Sequence, residues 1–156
     1  MNLSLITETI KALSWKEPYG TLMLYGKIET RVWKTSYRGL VLICASKKSY
    51  NLGEVFRISG GDLYRAIWNK IFPDKNKYSV NVSDNLFYCG KAFAIGELID
   101  CRPMRKEDED KCFVRYYPDL YCHVYQNVTK IEPFFWKGSL GFKTLTDYQK
   151  SQIKII

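Results

Sequence analysis

Apolar and polar positions alternate along most of this chain, and only two stretches carry helical spacing. Residues 1–12 fit either a short strand or a weak helix, and Ala12–Trp15 reads as a strand leading to Lys16-Glu17. Pro18 suits the first position of a helix, where a missing N–H leaves no bond unmade. Two turns over Tyr19–Tyr25 should end at Gly26, a residue that takes the left-handed conformation closing many helices. Ile28–Trp33 alternates and predicts a strand. After a polar, cationic loop, Leu40–Ala45 (LVLICA) is short, apolar and partly β-branched, which favours a buried strand over a helix. Residues 46–60 read as a loop with a local turn. Asp62 is placed to cap a helix over Leu63–Phe72, with Leu63, Ile67, Trp68 and Ile71 on one face and Pro73 as its stop.

The second half is strand-rich. Residues 73–85 are polar and loop-like, with a short strand at Tyr78–Val82. Lys91–Cys101 alternates, and its Gly96 is compatible with a bulge or a close backbone approach. Arg105–Lys111 mixes both charge signs and reads as a solvated helix or loop. Asp119–Val128 predicts a strand with Leu120, Cys122, Val124 and Gln126 on one face and Tyr121, His123, Tyr125 and Asn127 on the other. An aromatic knot, Phe134–Trp136, precedes a last strand over Gly141–Leu145, and the polar tail from Thr146 is expected to fray. With no repeat and no linker, the pattern predicts a single domain over residues 1–156. Its class is α+β: a small mixed, mostly antiparallel β-barrel with flanking helices.

Composition narrows the function classes. At 156 residues and 46% hydrophobic, the chain can bury a core and is not of disordered type. No apolar run approaches the about 18 residues of a membrane helix, so no membrane partner is expected. The N-terminus interrupts its apolar positions with Glu8 and Lys11 and does not read as a secretory signal. Five cysteines without a C-x-x-C pair, and one histidine, suggest reduced thiols in a cytoplasmic protein, with no metal and no cofactor. The net charge is +8, and residues 1–48 hold eight Lys/Arg against Glu8, Glu17 and Glu29. Such a bias attracts polyanions, nucleic acid among them.

One stretch carries a family resemblance. LSWKEPYGTLMLYGKIETRVWKTSYRGLVLICASKK is similar to the signature of ASCH domains (activating signal cointegrator homology), members of the PUA-like superfamily. That signature runs L-S-x-x-Q-P-W/Y-A, a turn with Gly and Lys, I/V-E-x-R-x-W-x-T-x-Y/H-R-G, an apolar strand and A-x-K/S-K. FAIGELIDCRPM and FFWKGSLGFKTL resemble the later strand and the closing segment, so the likeness covers roughly residues 12–146 and leaves 147–156 as a C-terminal tail. The chain departs from the pattern at Glu17 (commonly Gln), Tyr19 (commonly Trp) and Phe142 (commonly Trp). Its turn is also shorter, placing Lys27 two residues before Glu29. The resemblance implies a PUA-like barrel with a cleft that binds RNA or a nucleotide-like ligand. Some small relatives are amidohydrolases acting on N4-acetylcytidine through a lysine, a threonine and a glutamate, and others have been described as ribonucleases.

The residues leave several roles open. With a side-chain period of two, Glu29, Arg31 and Trp33 share one face of a strand and Thr30 takes the other. That face can line a cleft, or Glu29 and Arg31 can form a structural pair at the barrel mouth. Tyr19, Trp33 and Tyr37 can stack on unpaired bases or serve as core. Arg38 can meet phosphate or pair locally, and Lys34, Lys47 and Lys48 can contact a phosphate backbone or form a solvated face. If the protein is an enzyme, Lys27 with Glu17 or Glu29 supplies the acid–base pair. His123 has no evident catalytic partner and reads as a core or surface residue. The leading expectation is an RNA- or nucleotide-binding module. An amidohydrolase or weak ribonuclease is the alternative, and a protein-interaction role is a third.

Overall fold

The computed structural model describes residues 7–73 and 87–156. The predicted strand at Tyr78–Val82 lies outside the described residues. Among the described residues six strands form one sheet: β1 (Ile10–Trp15), β2 (Glu29–Arg31), β3 (Gly39–Ala45), β4 (Lys91–Pro103), β5 (Tyr121–Phe135) and β6 (Lys143–Thr144). Among the described residues there are five α-helices: α1 (Tyr19–Leu22), α2 (Leu52–Ser59), α3 (Gly61–Ile71), α4 (Glu109–Cys112) and α5 (Asp147–Ser151). The strand order is β2-β5-β4-β3-β1-β6, with β1 and β3 parallel and the remaining pairs antiparallel. The fold class is thus mixed α+β, and the sheet curls into a half-barrel.

The curl has a local cause. The β4–β5 ladder shifts register three times, between Ala92/Ala94, Ile95/Glu97 and Leu98/Asp100. Each bulge adds twist to the strand that carries it. Gly96 sits within one of them, as the bulge reading expects, and a Cβ there would stand 3.0 Å from the side-chain atom Val128 Cγ2. Parallel pairing of β1 with β3 requires a crossover, and that crossover contains α1, β2 and the cationic loop.

Strand β3 is buried on both faces, which explains its unbroken apolar run. Val41, Ile43 and Ala45 join one cluster with Trp15, Phe93 and Leu98, covered by Val55 of α2 and Ile67 and Trp68 of α3. Leu42 and Cys44 point the other way, into a second cluster with Ile10, Ile95, Ile131, Trp136 and Ile153. The sheet therefore has a core on each side.

Several sequence expectations need correction. Residues 46–60 are not a loop: α2 occupies Leu52–Ser59, and Asn51 starts it with a capping box. There the Asn51 side chain accepts from Glu54 N at 2.8 Å while Glu54 Oε1 accepts from Asn51 N at 3.1 Å. Helix α3 begins at Gly61, before Asp62, and Asp62 lies in its first turn rather than at its cap. Pro18 is the N-cap of α1 rather than its first helical residue, and the second turn, Met23–Tyr25, is 3-10. The tail does not fray at Thr146. Thr146 and Gln149 form another capping box, α5 follows, and Ile153 is buried at 1% exposure in the second core. Within Arg105–Lys111, Asp108 is buried and accepts two bonds from Arg102, at 2.8 and 2.9 Å. The final strand shrinks to Lys143–Thr144, while β1, β4 and β5 run longer than expected.

Candidate functional site

Strand β2 is three residues long, and its neighbours fix where its side chains go. Gly26 turns the chain at φ 83°, in the left-handed region that favours glycine. Lys27 N then donates to Leu22 O at 3.3 Å and Ile28 N to Lys111 O at 2.9 Å. This pins the entry to β2, which pairs with β5 in the register Glu29–His123, Thr30–Cys122 and Arg31–Tyr121.

From this frame three charged side chains converge. Lys27 Nζ donates to Glu29 Oε1 at 2.7 Å and to Ile28 O at 3.0 Å. Glu29 Oε1 also accepts from Thr30 N at 3.0 Å, and its Oε2 accepts from Arg31 Nε at 3.0 Å. Arg31 Nη2 donates to Ser14 O at 3.0 Å, so the guanidinium ties edge strand β2 to β1 across the open side of the curled sheet. Side-chain exposure is 0% for Lys27, 7% for Glu29 and 21% for Arg31. Burial alone would push the Glu29 carboxyl up, but Lys27 and Arg31 outweigh it and hold the group below its ordinary value. Glu29 is a fixed carboxylate between two cations.

The three residues line a cleft of about 450 Å³, within the usual size range of small-ligand sites, about 300–1,000 Å³. Its walls include Tyr19 and Tyr50, whose rings meet edge to face at 5.8 Å. The Tyr19 hydroxyl is hydrogen-bonded to Ser59 Oγ at 2.6 Å, and Ser59 in turn donates to Phe113 O, also at 2.6 Å. Tyr19 is thereby locked to α2. Lys16 sits with its ammonium 4.9 Å from the Tyr50 ring centre, and the Arg31 guanidinium lies 5.1 Å from that of Trp15. Among the described residues the lining holds three cations, Lys16, Lys27 and Arg31, against the carboxylate of Glu29. Lys16, Tyr50 and Leu140 were not among the residues singled out from the sequence. Nothing local marks them, because β1, the loop before α2 and the segment before β6 meet only in the folded chain.

Other candidates are placed differently. Glu17 does not line the cleft. It is fully buried and accepts from Thr21 N at 2.6 Å, Thr21 Oγ1 at 2.5 Å and Tyr88 N at 3.2 Å. Desolvation raises its pKa despite those bonds. Trp33 falls outside β2, in a bend, so strand alternation does not carry it to the Glu29 face. Its ring packs against His123 at 4.9 Å and Phe142 at 5.5 Å with the Arg31 guanidinium 6.0 Å from its centre, and it does not itself line the cleft. Thr30, expected on the opposite face, does border the cleft and donates its N–H to Glu29. Tyr37 donates its hydroxyl to Leu40 O at 2.8 Å, and Arg38 bonds the carbonyls of Thr35 and Tyr37, the local pairing. Lys34, Lys47 and Lys48 are exposed. His123 is buried, with Nε2 donating to Trp33 O at 2.9 Å.

The cleft can hold a small, partly anionic ligand beside aromatic edges. Among the described residues, no group of three or more His, Cys, Asp and Glu is placed to hold a metal. No helix of the described residues is long and apolar enough to cross a membrane. In comparisons with protein families and with curated proteins, no family model and no curated protein matches the chain.

Proposed function

We propose that this chain is an ASCH-type, PUA-like module that binds RNA or a nucleotide-like ligand in the cleft floored by Lys27, Glu29 and Arg31. The observation that carries this reading is the buried Lys27–Glu29–Arg31 relay at the foot of a cationic cleft with tyrosine walls. Glu29 takes Nε and Nη2 of Arg31 and Ser14 O shares Nη2, while among the described residues Nη1 has no hydrogen-bond partner, which leaves a positioned donor for a phosphate or a base edge. Tyr50 is half-buried and offers a ring surface for an unpaired base. The resemblance of residues 12–146 to the ASCH pattern adds support, since its E-x-R pair supplies two of the three relay residues. The shortened turn still lets Lys27 reach Glu29.

The amidohydrolase or ribonuclease alternative draws less support. General acid–base work needs a group whose pKa lies near the working pH. Glu29 is held below its ordinary value by two cations, and Glu17, whose pKa is raised, stands off the cleft. Binding is the better use of this geometry.

The test is equilibrium binding of a short fluorescent single-stranded RNA at low salt. Affinity should fall as salt rises, and Tyr50→Ala should weaken it about tenfold, the scale of one lost stacking contact. Arg31→Ala should abolish it, with circular dichroism confirming the fold. Binding unchanged in Tyr50→Ala and in folded Arg31→Ala would overturn the site. Turnover of N4-acetylcytidine that disappears in Lys27→Ala would favour the enzyme instead.

A further inference from the structure

A second groove, of about 800 Å³, adjoins the first cleft. The two share Ser14, Ser46, Ser139 and Leu140 as lining, so they form one continuous depression divided by the segment before β6. That segment lies close on β1: a Cβ on Gly138 would stand 3.2 Å from Ser14 Oγ. Among the described residues the second groove is lined by Lys47, Lys91 and Lys137 and by no acidic residue. All three lysines are exposed. Two large apolar side chains stand beside them in solvent, Phe135 at 80% exposure and Leu140 at 101%.

Each feature has a bland explanation alone: exposed lysines solvate a surface, and single exposed apolar residues are common. Their combination is more specific. A cationic groove that tracks a backbone, beside an unpartnered aromatic ring, is the recurring design for single-stranded nucleic acid. A lone nucleotide filling the first cleft would leave the second groove unused. The three-lysine lining fits a chain carrying repeated negative charge, and the shared wall places that chain's next unit there.

We infer that the ligand is a single-stranded polynucleotide rather than a free nucleotide. One nucleoside occupies the Lys27–Glu29–Arg31 cleft, and the adjoining nucleotides run through the second groove. There Lys47, Lys91 and Lys137 meet phosphates, and Phe135 stacks on a base. The inference rests on the binding reading of the first cleft and adds direction and length to it.

The experiment compares two probes, nucleoside 5′-monophosphates and a mixed-sequence RNA tetranucleotide, on the full chain. Four nucleotides is about the short end of single-strand site sizes. The tetranucleotide should bind at least tenfold tighter. In Lys91→Ala/Lys137→Ala its log-affinity-versus-log-salt slope should flatten by about 1.4, that is about 0.7 per phosphate contact. Phe135→Ala should weaken it about tenfold, and neither variant should change monophosphate binding. Monophosphate binding with no gain for the tetranucleotide, or a gain indifferent to both variants, overturns the second groove and leaves the first cleft standing. Binding of neither probe overturns both. Displacement of the tetranucleotide by a tetraglutamate peptide at equal concentration overturns it in favour of an acidic polypeptide partner.

Discussion

Lys27 and Glu29, two residues apart in the chain, meet at 2.7 Å in a place where the lysine side chain has no exposure. The contact depends on the left-handed turn at Gly26, which ends the helical segment and delivers Lys27 beside a three-residue strand. Glu29 then reaches Arg31 with its other oxygen, so one carboxylate serves two cations.

Removing the negative member of this relay leaves a buried ammonium without a counter-charge. Glu29→Gln should destabilise the fold by about 3 kcal/mol, at the low end for a broken buried pair because Arg31 is partly exposed. Urea denaturation measures it. A loss under about 1 kcal/mol, the size of a surface pair, would contradict the burial of the relay.

The two buried glutamates should respond to pH with opposite sign. Glu17 is raised above its ordinary 4.5 by burial, so its contribution to stability is complete below that value and is lost as pH rises through the folded value. Glu29 is lowered, so its contribution is complete above 4.5 and is lost as pH falls through the folded value. Denaturation midpoints of wild type and Glu17→Gln, followed upward from pH 4.5, should move apart in favour of the variant. Parallel curves would show that Glu17 is not titrating differently in the two states.

Helix α2 supplies a third prediction, because its start rests on the reciprocal bonds of Asn51 and Glu54. Asn51→Ala should cost about 1 kcal/mol in the same assay. No change would mean that the cap contributes nothing at this exposed end.

The residues differ in how far the sequence alone revealed them. Leu40–Ala45 was legible as a buried strand because an apolar run flanked by polar loops admits few other readings, and it is buried on both faces. Glu29 and Arg31 were legible as neighbours because strand alternation is local. Trp33 was not, since the strand stops at Arg31 and alternation stops with it. Helix α2 was hidden although its capping box, N-x-x-E at Asn51–Glu54, stands in the sequence; the glycines at 53 and 60 obscured it. Ile153 looked like tail because only the folded chain brings it to Ile10 and Trp136. Glu17 becomes a cleft candidate through the family pattern, where it stands at a position commonly Gln, whereas Thr21 and the Tyr88 backbone capture it. The long-range members, Lys16, Tyr50 and the Lys91–Lys137 groove, depend on contacts no local pattern encodes.

The proposed binding mode puts a single-stranded RNA base in the cleft beside Tyr50. Photo-crosslinking of 4-thiouridine RNA to the full chain, with the adduct located by mass spectrometry, tests it most directly. An adduct on Tyr50 that is competed by unlabelled RNA and lost when Arg31 is replaced is the expected result. Adducts confined to the exposed tyrosines Tyr117 and Tyr148, which line neither groove, would contradict it.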